Sequence, residues 1–267
     1  MGGRIRVVLV RPRRGGNVGS VARAMKNMGL DDLVLVAPRT PVGAAARNMA
    51  AHARDVLEAR RTVPDLDTAL ADTTLAIGTV GRETTPRQQV ETPRALAPEI
   101  VAAAGEGTVA LVFGPEDHGL SNADLDRCQR LLSIPAADAY ASLNLAQAVL
   151  LCAYEVRLAT PEPAGPGGPR PGGGAATRRR EEREADARPA QGVETEALFE
   201  HLETALRAIG FLSPQNPTHI MRDIRALFGR GGLTRRDVKV WRGVARQVSW
   251  AAEKISGASE GSGRRRR

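Results

Sequence analysis

The chain has 267 residues, a length that corresponds to one or two domains. With 42% hydrophobic and 25% charged residues, it can bury a sizeable core without a disulfide or a metal. The longest apolar run, Ala148 to Tyr154, is too short to span a bilayer, which takes about 20 residues. The apolar stretch before Arg11 is too short for a secretory signal, and Cys128 and Cys152 form no disulfide framework or zinc motif. We therefore expect a cytoplasmic protein in a reducing compartment.

The net charge of +8 is concentrated in the C-terminal part of the chain. Residues 1–160 carry 18 basic and 17 acidic residues, whereas residues 161–267 carry 20 and 13. A concentrated positive field favours a polyanionic partner, most often a nucleic acid. A solvated basic tail is the alternative, because Arg264 to Arg267 alone supply four positive charges.

Short apolar segments alternate with helical patterns throughout residues 1–160. The segments are Ile5–Val10, Leu33–Ala37, Leu75–Ile77, Val109–Phe113 and Leu131–Ile134. This alternation predicts an α/β domain with a mainly parallel sheet. Because the segments are apolar on both sides, the sheet should be covered by helices on both faces.

The rest of the chain predicts a linker and a second, helical domain. Residues 161–192 are rich in Pro, Gly and charge, which is typical of a flexible linker. Within residues 193–255, apolar residues at helical spacing predict three helices: one that ends at Gly210, one from about Pro214, and one from about Thr234. We expect residues 256–267 to form a disordered basic tail.

A glycine-rich segment with polar side chains follows the first predicted strand. Residues 13–20 read Arg-Arg-Gly-Gly-Asn-Val-Gly-Ser, in which Asn17 is a candidate N-cap and the helix N-terminus favours anions. Arg23 lies roughly 140° from Val18 around the following helix, away from its apolar side. Arg23 is thus a candidate phosphate contact, with an ordinary surface arginine as the alternative.

Two further segments place polar groups and glycines beyond strand ends or at a helix start. A glycine-bearing loop that contains Gly114 and Glu116 follows one strand, and Thr79-Val80-Gly81-Arg82 follows another. Ligands of parallel α/β sheets bind beyond the carboxyl ends of the strands, which indicates backbone recognition of a small ligand. Glu116 is a candidate hydrogen-bond acceptor or structural clamp; turns that simply require glycine are the alternative.

A third segment opens a long apolar helix, where Ser142 and Asn144 either cap the helix or contact a ligand. Motifs of other enzyme classes are absent: Walker A, His-Glu-x-x-His and Gly-x-Ser-x-Gly do not occur, and the four histidines show no metal-ligand spacing.

Together these segments resemble the TrmH branch of the SPOUT methyltransferases, and most closely its TrmJ-like subgroup. The motifs lie at residues 16–25, 111–120 and 142–146, and the resemblance extends through residues 199–211 to about residue 252. It implies a mainly parallel sheet with a deep C-terminal trefoil knot, followed by a small all-helical domain. It further implies a homodimer with its active site at the interface. The implied reaction transfers a methyl group from S-adenosylmethionine to a ribose 2′-oxygen of tRNA. The implied target is cytidine or uridine at position 32 of the anticodon loop.

The resemblance also implies roles for individual residues. Those around the methyl donor are Thr79, Val80, Gly81, Gly114, Ile134, Ser142 and Leu143. Those in the catalytic motifs are Asn17, Arg23, Glu116, Ser142 and Asn144. The family often assigns removal of the hydroxyl proton to the arginine, here Arg23. A guanidinium, with a pKa above about 12, does not readily accept a proton, so Arg23 could instead bind a phosphate and orient the ribose.

We expect the C-terminal domain to bind tRNA, because residues 207–246 contain nine basic and two acidic residues. The candidate phosphate contacts are Arg222, Arg225, Arg235, Arg236, Lys239, Arg242 and Arg246.

Three other functions compete with this one. The same chemistry could act on another tRNA site or on rRNA, which the catalytic motifs do not distinguish. A non-catalytic RNA-binding protein of the same fold would be expected to lack Asn17, Arg23 or the Gly114 loop, all of which are present. A nicotinamide oxidoreductase is disfavoured because the Gly-x-Gly-x-x-Gly fingerprint is absent.

Overall fold

The computed structural model describes residues 4–81, 89–137, 142–161, 186–212 and 217–263. The chain divides near residue 175 into two compact units. Arg82, which follows the strand-end segment Thr79–Gly81, lies outside the described residues.

The N-terminal unit is built on a sheet of seven parallel strands, which confirms the predicted α/β class. The strands are β1 (Arg4–Val10), β2 (Asp32–Val36), β3 (Arg61–Val63), β4 (Thr73–Thr79), β5 (Val90–Glu91), β6 (Thr108–Phe113) and β7 (Arg130–Leu132). Their order across the sheet is β3-β2-β1-β6-β4-β7-β5, and every pairing is parallel. The apolar pattern did not predict β3 or β5, because these short edge strands are partly exposed and carry polar residues.

Helices connect these strands and cover the sheet. They are α1 (Gly15–Asn27), α2 (Ala44–Ala50), α3 (Arg54–Ala59), α4 (Leu66–Leu70), α5 (Pro93–Glu106), α6 (Asn122–Leu125) and α7 (Leu145–Ala159), with a 3₁₀ turn at Ala51–Ala53. Alternate residues of β1 enter separate cores: Val7 and Leu9 pack with residues of α1, α5 and α7, whereas Val8 and Val10 pack with residues of α4 and α6. The sheet is therefore covered on both faces, as its apolar strands predicted.

One charged residue is buried within the apolar strand β1. The Arg6 side chain is 1% exposed; it donates to Asp32 over 2.9 Å, to the Ala69 carbonyl over 2.8 Å, and to both carboxylate oxygens of Asp72. Asp32 is the register partner of Arg6 on β2. A buried guanidinium is tolerated because carboxylates and a carbonyl accept its protons.

The C-terminal unit is helical, in agreement with the sequence. Its helices are α8 (Gly192–Ala208), α9 (Pro217–Gly231) and α10 (Arg235–Gly263). Gly210 follows α8 with a φ of 72°, where a residue with a side chain would be strained. Thr234 accepts a hydrogen bond from the Asp237 N–H over 3.2 Å and so caps α10 as predicted. Pro214, the predicted start of the second helix, lies outside the described residues.

The boundaries of this unit differ from the predicted ones at both ends. The Ala190 N–H donates to the Leu233 carbonyl over 2.7 Å, so the end of the predicted linker already pairs with the segment before α10. At the other end, α10 continues past residue 255 to Gly263, since no proline follows Thr234 to stop it. Most of residues 161–192 lies outside the described residues.

Two further features concern the whole chain. Within the described ranges, no helix is both long enough and apolar enough to cross a membrane. The trefoil knot depends on a chain path that includes residues 138–141, which are not described, and it stays an implication of the family.

Candidate active site

Glu116 joins the loop after β6 to the start of α1. Its Oε1 atom accepts from Nδ2 of Asn17 over 2.8 Å, and its Oε2 atom accepts from the backbone N–H of Arg13 over 3.0 Å. Partial burial alone would raise the pKa of this carboxyl, but these hydrogen bonds hold the pKa of Glu116 below its ordinary value. Glu116 is therefore an ionised clamp on the chain that leads into α1.

Asn17 links this clamp to the start of α7. Its Oδ1 atom accepts from Nδ2 of Asn144 over 3.2 Å, while Oδ1 of Asn144 accepts from the Ala146 N–H over 2.9 Å. The prediction that Asn17 is an N-cap is wrong: α1 begins at Gly15, so Asn17 lies in its first turn, and its amide bonds across to Glu116 and Asn144. The predicted cap at Asn144 is confirmed, with Gln147 completing a capping box.

The loop after β6 folds so tightly that position 114 accepts only glycine. A Cβ atom there would lie 2.1 Å from the carbonyl carbon of Gly119 and 2.2 Å from the nitrogen of Leu120. Gly119 itself has a φ of 68°. The loop ends at Ser121, whose hydroxyl caps α6. Close backbone packing thus fixes the path of this loop.

The ends of three adjacent strands form one edge beside this loop. Oγ1 of Thr79 donates to the Val112 carbonyl over 3.0 Å, tying the end of β4 to β6. The Val80 N–H donates to the Leu132 carbonyl over 2.9 Å, tying it to β7. Because the strands are parallel, residues 79–81, 114 and 134 follow the same edge of the sheet. Among the described residues, none lies within 4 Å of a Cβ atom placed on Gly81.

Ser142 and Leu143 lie just before the Asn144 cap. Ser142 is exposed and Leu143 is partly buried. The described contacts place Asn144 in the Glu116–Asn17 network but join neither Ser142 nor Leu143 to the strand ends. Their position beside a methyl donor stays a prediction.

Arg23 lies on α1, on the side away from the core. Val18, Val21, Ala22 and Met25 are fully buried, which confirms the predicted apolar side of the helix. Arg23 is exposed, and in the part of the chain that the structure describes it has no hydrogen-bond or ion-pair partner. The structure does not join Arg23 to the Glu116–Asn17–Asn144 network, and its guanidinium is open to an external anion.

Sequence reasoning missed an ion pair at the same edge. Arg11, directly after β1, has a φ of 49° and binds the carboxylate of Asp124, which also accepts from the Ser121 hydroxyl over 2.6 Å. Burial opposes ionisation, yet the bonds from Arg11 and Ser121 lower the pKa of Asp124. No local sequence pattern indicates that Arg11 and Asp124, which lie 113 positions apart, form an ion pair.

The basic residues of the C-terminal unit divide into two groups. Arg225 binds Glu196 at 2.6 Å, Arg235 binds Glu194 at 3.2 Å and Lys239 binds Asp186 at 2.5 Å. These three pair with carboxylates within the unit, and their contact with phosphates stays a prediction. Arg242 donates to His201 over 3.2 Å, and Arg246 is exposed.

A search of the described residues for groups of three or more His, Cys, Asp or Glu placed to hold a metal ion finds none.

Comparison with known proteins identifies both units. Residues 4–154 match the SpoU rRNA Methylase family, and residues 193–259 match the C-terminal domain of the tRNA methyltransferase TrmJ. The tRNA (cytidine/uridine/adenosine-2'-O-)-methyltransferase TrmJ of Pseudomonas aeruginosa (strain UCBPP-PA14) is 38% identical over 257 residues, which cover 95% of this chain and 96% of that protein. The tRNA (cytidine/uridine-2'-O-)-methyltransferase TrmJ of Escherichia coli (strain K12) is 38% identical over 248 residues, covering 91% and 94%.

A solved structure agrees with these matches. The crystal structure of TrmJ from Z. mobilis ZM4 has a TM-score of 0.74 and 33% sequence identity, and covers 91% of this chain and 98% of that one. The resemblance inferred from the three motifs is confirmed. The chain belongs to the SpoU methylase family and carries the C-terminal domain of its TrmJ members.

Proposed function

We propose that the protein transfers a methyl group from S-adenosylmethionine to a ribose 2′-oxygen of tRNA, at position 32 of the anticodon loop. One observation carries the proposal: Glu116, Asn17 and Asn144 connect the three family motifs through hydrogen bonds of 2.8 and 3.2 Å. The relatives' names supply the substrate class, since they methylate cytidine and uridine in tRNA.

The methyl donor fits the edge formed by the strand ends. The residues that would hold it are Thr79, Val80, Gly81, Gly114, Ile134, Ser142 and Leu143. A Cβ atom on Gly81 would meet none of the described residues within 4 Å, which leaves room for a ligand recognised through main-chain hydrogen bonds. When bound, S-adenosylmethionine supplies an electrophilic methyl group on a sulfonium centre.

The residues of the chain then hold and orient the ribose. Arg23 binds the phosphate next to the target nucleotide, because its guanidinium is exposed and its positive charge attracts an anion. The exposed hydroxyl of Ser142 bonds to the ribose. Alignment of the 2′-oxygen with the methyl group converts a weak nucleophile into a competent one through proximity.

Asn17, Glu116 and Asn144 act as positioning residues in this scheme. The amide of Asn17 and both oxygens of Glu116 already have partners within the protein, as does the side chain of Asn144. They fix the start of α1, which carries Arg23, relative to the start of α7, which follows Ser142. The proton of the 2′-hydroxyl leaves to the phosphate or to water, since a guanidinium is a poor proton acceptor.

The active enzyme is a homodimer that associates through α7. Four large apolar side chains lie within one arc of this helix, opposite its buried side, and are 37–61% exposed: Leu150, Leu151, Tyr154 and Leu158. An apolar stripe of this kind is costly to leave in water and is typical of an interface. Because α7 packs against α1, an interface here lies next to the helix that carries Arg23.

The cysteines support a cytoplasmic location. Cys128 and Cys152 are both buried and unpaired. Burial raises the pKa of the Cys152 thiol to about 12, so this thiol stays protonated and unreactive. Unpaired cysteines are typical of a reducing compartment.

The test is a methyl-transfer assay with site mapping. The purified protein is incubated with labelled S-adenosylmethionine and unmodified bulk tRNA, and the 2′-O-methyl position is mapped. Label on the ribose of nucleotide 32 is the expected result. Label on rRNA in a parallel assay, with none on tRNA, would reassign the substrate. Bound tRNA without label on either RNA would favour a non-catalytic RNA-binding protein.

A further inference from the structure

A basic groove runs between two helices of the C-terminal unit. It has a volume of about 470 Å³ and lies between α8 and α10. Its lining residues are His201, Thr204, Arg242, Ala245, Arg246 and Ser249. The buried side chains of Ala205 and Ala245 belong to the core that holds the two helices together. The groove therefore lies directly above packed core residues.

The polar groups of this groove are almost all hydrogen-bond donors. Arg242 and Arg246 are one turn apart on α10, and Nε of Arg242 donates to Nδ1 of His201 over 3.2 Å. In the neutral imidazole, an acceptor at Nδ1 places the proton on Nε2, which adds a donor. The hydroxyls of Thr204 and Ser249 are the remaining polar side chains of the lining.

The groove differs from the other basic positions of this unit in its charge balance. Among the described residues that line it, none is acidic. Arg225, Arg235 and Lys239, in contrast, each bind a carboxylate. Two guanidinium groups therefore share this groove with no carboxylate in its lining, so an anion that enters it meets attraction and no repulsion.

We propose that this groove binds a phosphodiester group of the RNA substrate, held by Arg242, Arg246 and His201. Guanidinium groups bind phosphate oxygens through pairs of charge-assisted hydrogen bonds, and hydroxyls donate to the same oxygens. The inference rests on the proposed function, because it takes tRNA as the source of the phosphate.

A second feature beside the groove favours an RNA strand over free phosphate. Trp250 lies one turn beyond Arg246 on α10 and is 52% exposed. Nζ of Lys254 lies 4.5 Å from the centre of its ring. Exposed aromatic rings next to basic residues stack on nucleobases of a single strand. A phosphate in the groove would therefore place a neighbouring base within reach of Trp250.

The test compares two arginine variants of the full-length protein. Arg246→Gln removes a charge from the groove, and Arg188→Gln removes an exposed charge from the same unit outside the groove. We expect Arg246→Gln to weaken tRNA binding by roughly 3- to 10-fold and to reduce the slope of log K against log salt by about 1. Arg188→Gln should leave both values nearly unchanged. Arg246→Lys should restore the salt slope, because it restores the charge.

A catalytic readout separates a phosphate contact from a general structural defect. At saturating tRNA, Arg246→Gln should keep the wild-type kcat, while its KM for tRNA rises in line with the lost affinity. Equal losses in Arg246→Gln and Arg188→Gln would overturn the proposal. So would a wild-type protein that does not bind tRNA, or one whose groove inorganic phosphate saturates as readily as RNA at equal ionic strength.

The proposed function and the groove fail in distinguishable ways. If the wild-type protein binds tRNA through Arg246 but transfers no methyl group, the catalytic proposal fails and the groove stands. If the wild-type protein methylates tRNA and Arg246→Gln binds it normally, the groove proposal fails and the catalytic one stands.

Discussion

Nδ2 of Asn144 donates to Oδ1 of Asn17 over 3.2 Å, although 127 residues separate them in the chain. Nδ2 of Asn17 in turn donates to Glu116. The oxygen and the nitrogen of the Asn17 amide therefore each bond to a residue of a different motif. An amide suits this position because it offers one acceptor and two donors in one plane. A carboxylate of the same size could accept from Asn144 but has no donor for Glu116.

Asn17→Asp tests this arrangement with almost no change in size. The variant would place a carboxylate within hydrogen-bond distance of the Glu116 carboxylate, and like charges raise each other's pKa. We expect methyl transfer at neutral pH to fall by about 10- to 100-fold, with partial recovery at lower pH, where the two carboxylates share a proton. The measurement is a pH–rate profile beside that of Asn122→Asp, an exposed control on α6. An unchanged profile for Asn17→Asp would contradict the positioning role.

Arg23 substitutions separate phosphate binding from proton transfer. Arg23→Ala should lower kcat/KM by about 100-fold or more, because it removes the orienting contact to RNA. Arg23→Lys keeps the charge and should retain roughly a tenth of the activity if the residue binds phosphate. Single-turnover rates with tRNA provide the measurement, and Arg47→Ala, an exposed arginine on α2, is the control. A lysine variant as inactive as the alanine variant would instead indicate a bidentate or basic role.

Gly114→Ala should destabilise the fold through a backbone clash. Its Cβ atom would lie 2.1 Å from the carbonyl carbon of Gly119, which no side-chain rotation relieves. We expect a loss of about 1–3 kcal/mol or more in the free energy of unfolding. Gly105→Ala, where the new Cβ meets nothing within 4 Å in helix α5, should be neutral or stabilising by up to about 1 kcal/mol. Denaturant unfolding of both variants gives the comparison, and equal stabilities would refute the close packing of the loop.

The predictable and unpredictable features of this chain differ in their physical origin. Burial follows local pattern, so the apolar strands and the apolar side of α1 were predicted correctly. The cap at Asn144 is one of the two roles expected for that residue. The role of Asn17 was predicted wrongly because a cap and a long-range hydrogen bond use the same side-chain amide. Composition alone does not show which residue supplies the partner.

The binding partners of charged residues are likewise not predictable from the local sequence. The sequence places Arg6 in an apolar strand and Arg225 in a basic stretch, but their carboxylate partners come from other elements. Only the register of β1 with β2 brings Asp32 next to Arg6. Net charge therefore predicts a polyanionic partner for a domain, but it does not predict which arginines remain available to bind it.

The Arg11–Asp124 pair predicts a dependence of stability on pH. The bonds from Arg11 and Ser121 lower the pKa of Asp124 below its ordinary value of 3.8. A carboxyl whose pKa is lower in the folded state stabilises the protein above its unfolded pKa, and that stabilisation is lost as the pH falls through the folded value. We expect Asp124→Asn to lose about 1–3 kcal/mol at pH 7 and to show less acid sensitivity below pH 4 than the wild type. Thermal unfolding between pH 7 and pH 2 measures both, and parallel curves would contradict the assignment.

Charge placed on the exposed side of α7 should dissociate the homodimer. Leu158 is 61% exposed, so Leu158→Glu should leave the protomer folded while it puts a carboxylate into the proposed interface. Leu227→Glu is the matched control, because Leu227 is 63% exposed on α9 in the other unit. Light scattering should show a wild-type dimer, a monomeric Leu158→Glu variant and a dimeric control. Because the active site is proposed to lie at the interface, methyl transfer should fall with the dimer fraction and recover at high protein concentration. A monomeric wild-type protein with full activity would exclude this interface and the dependence of catalysis on it.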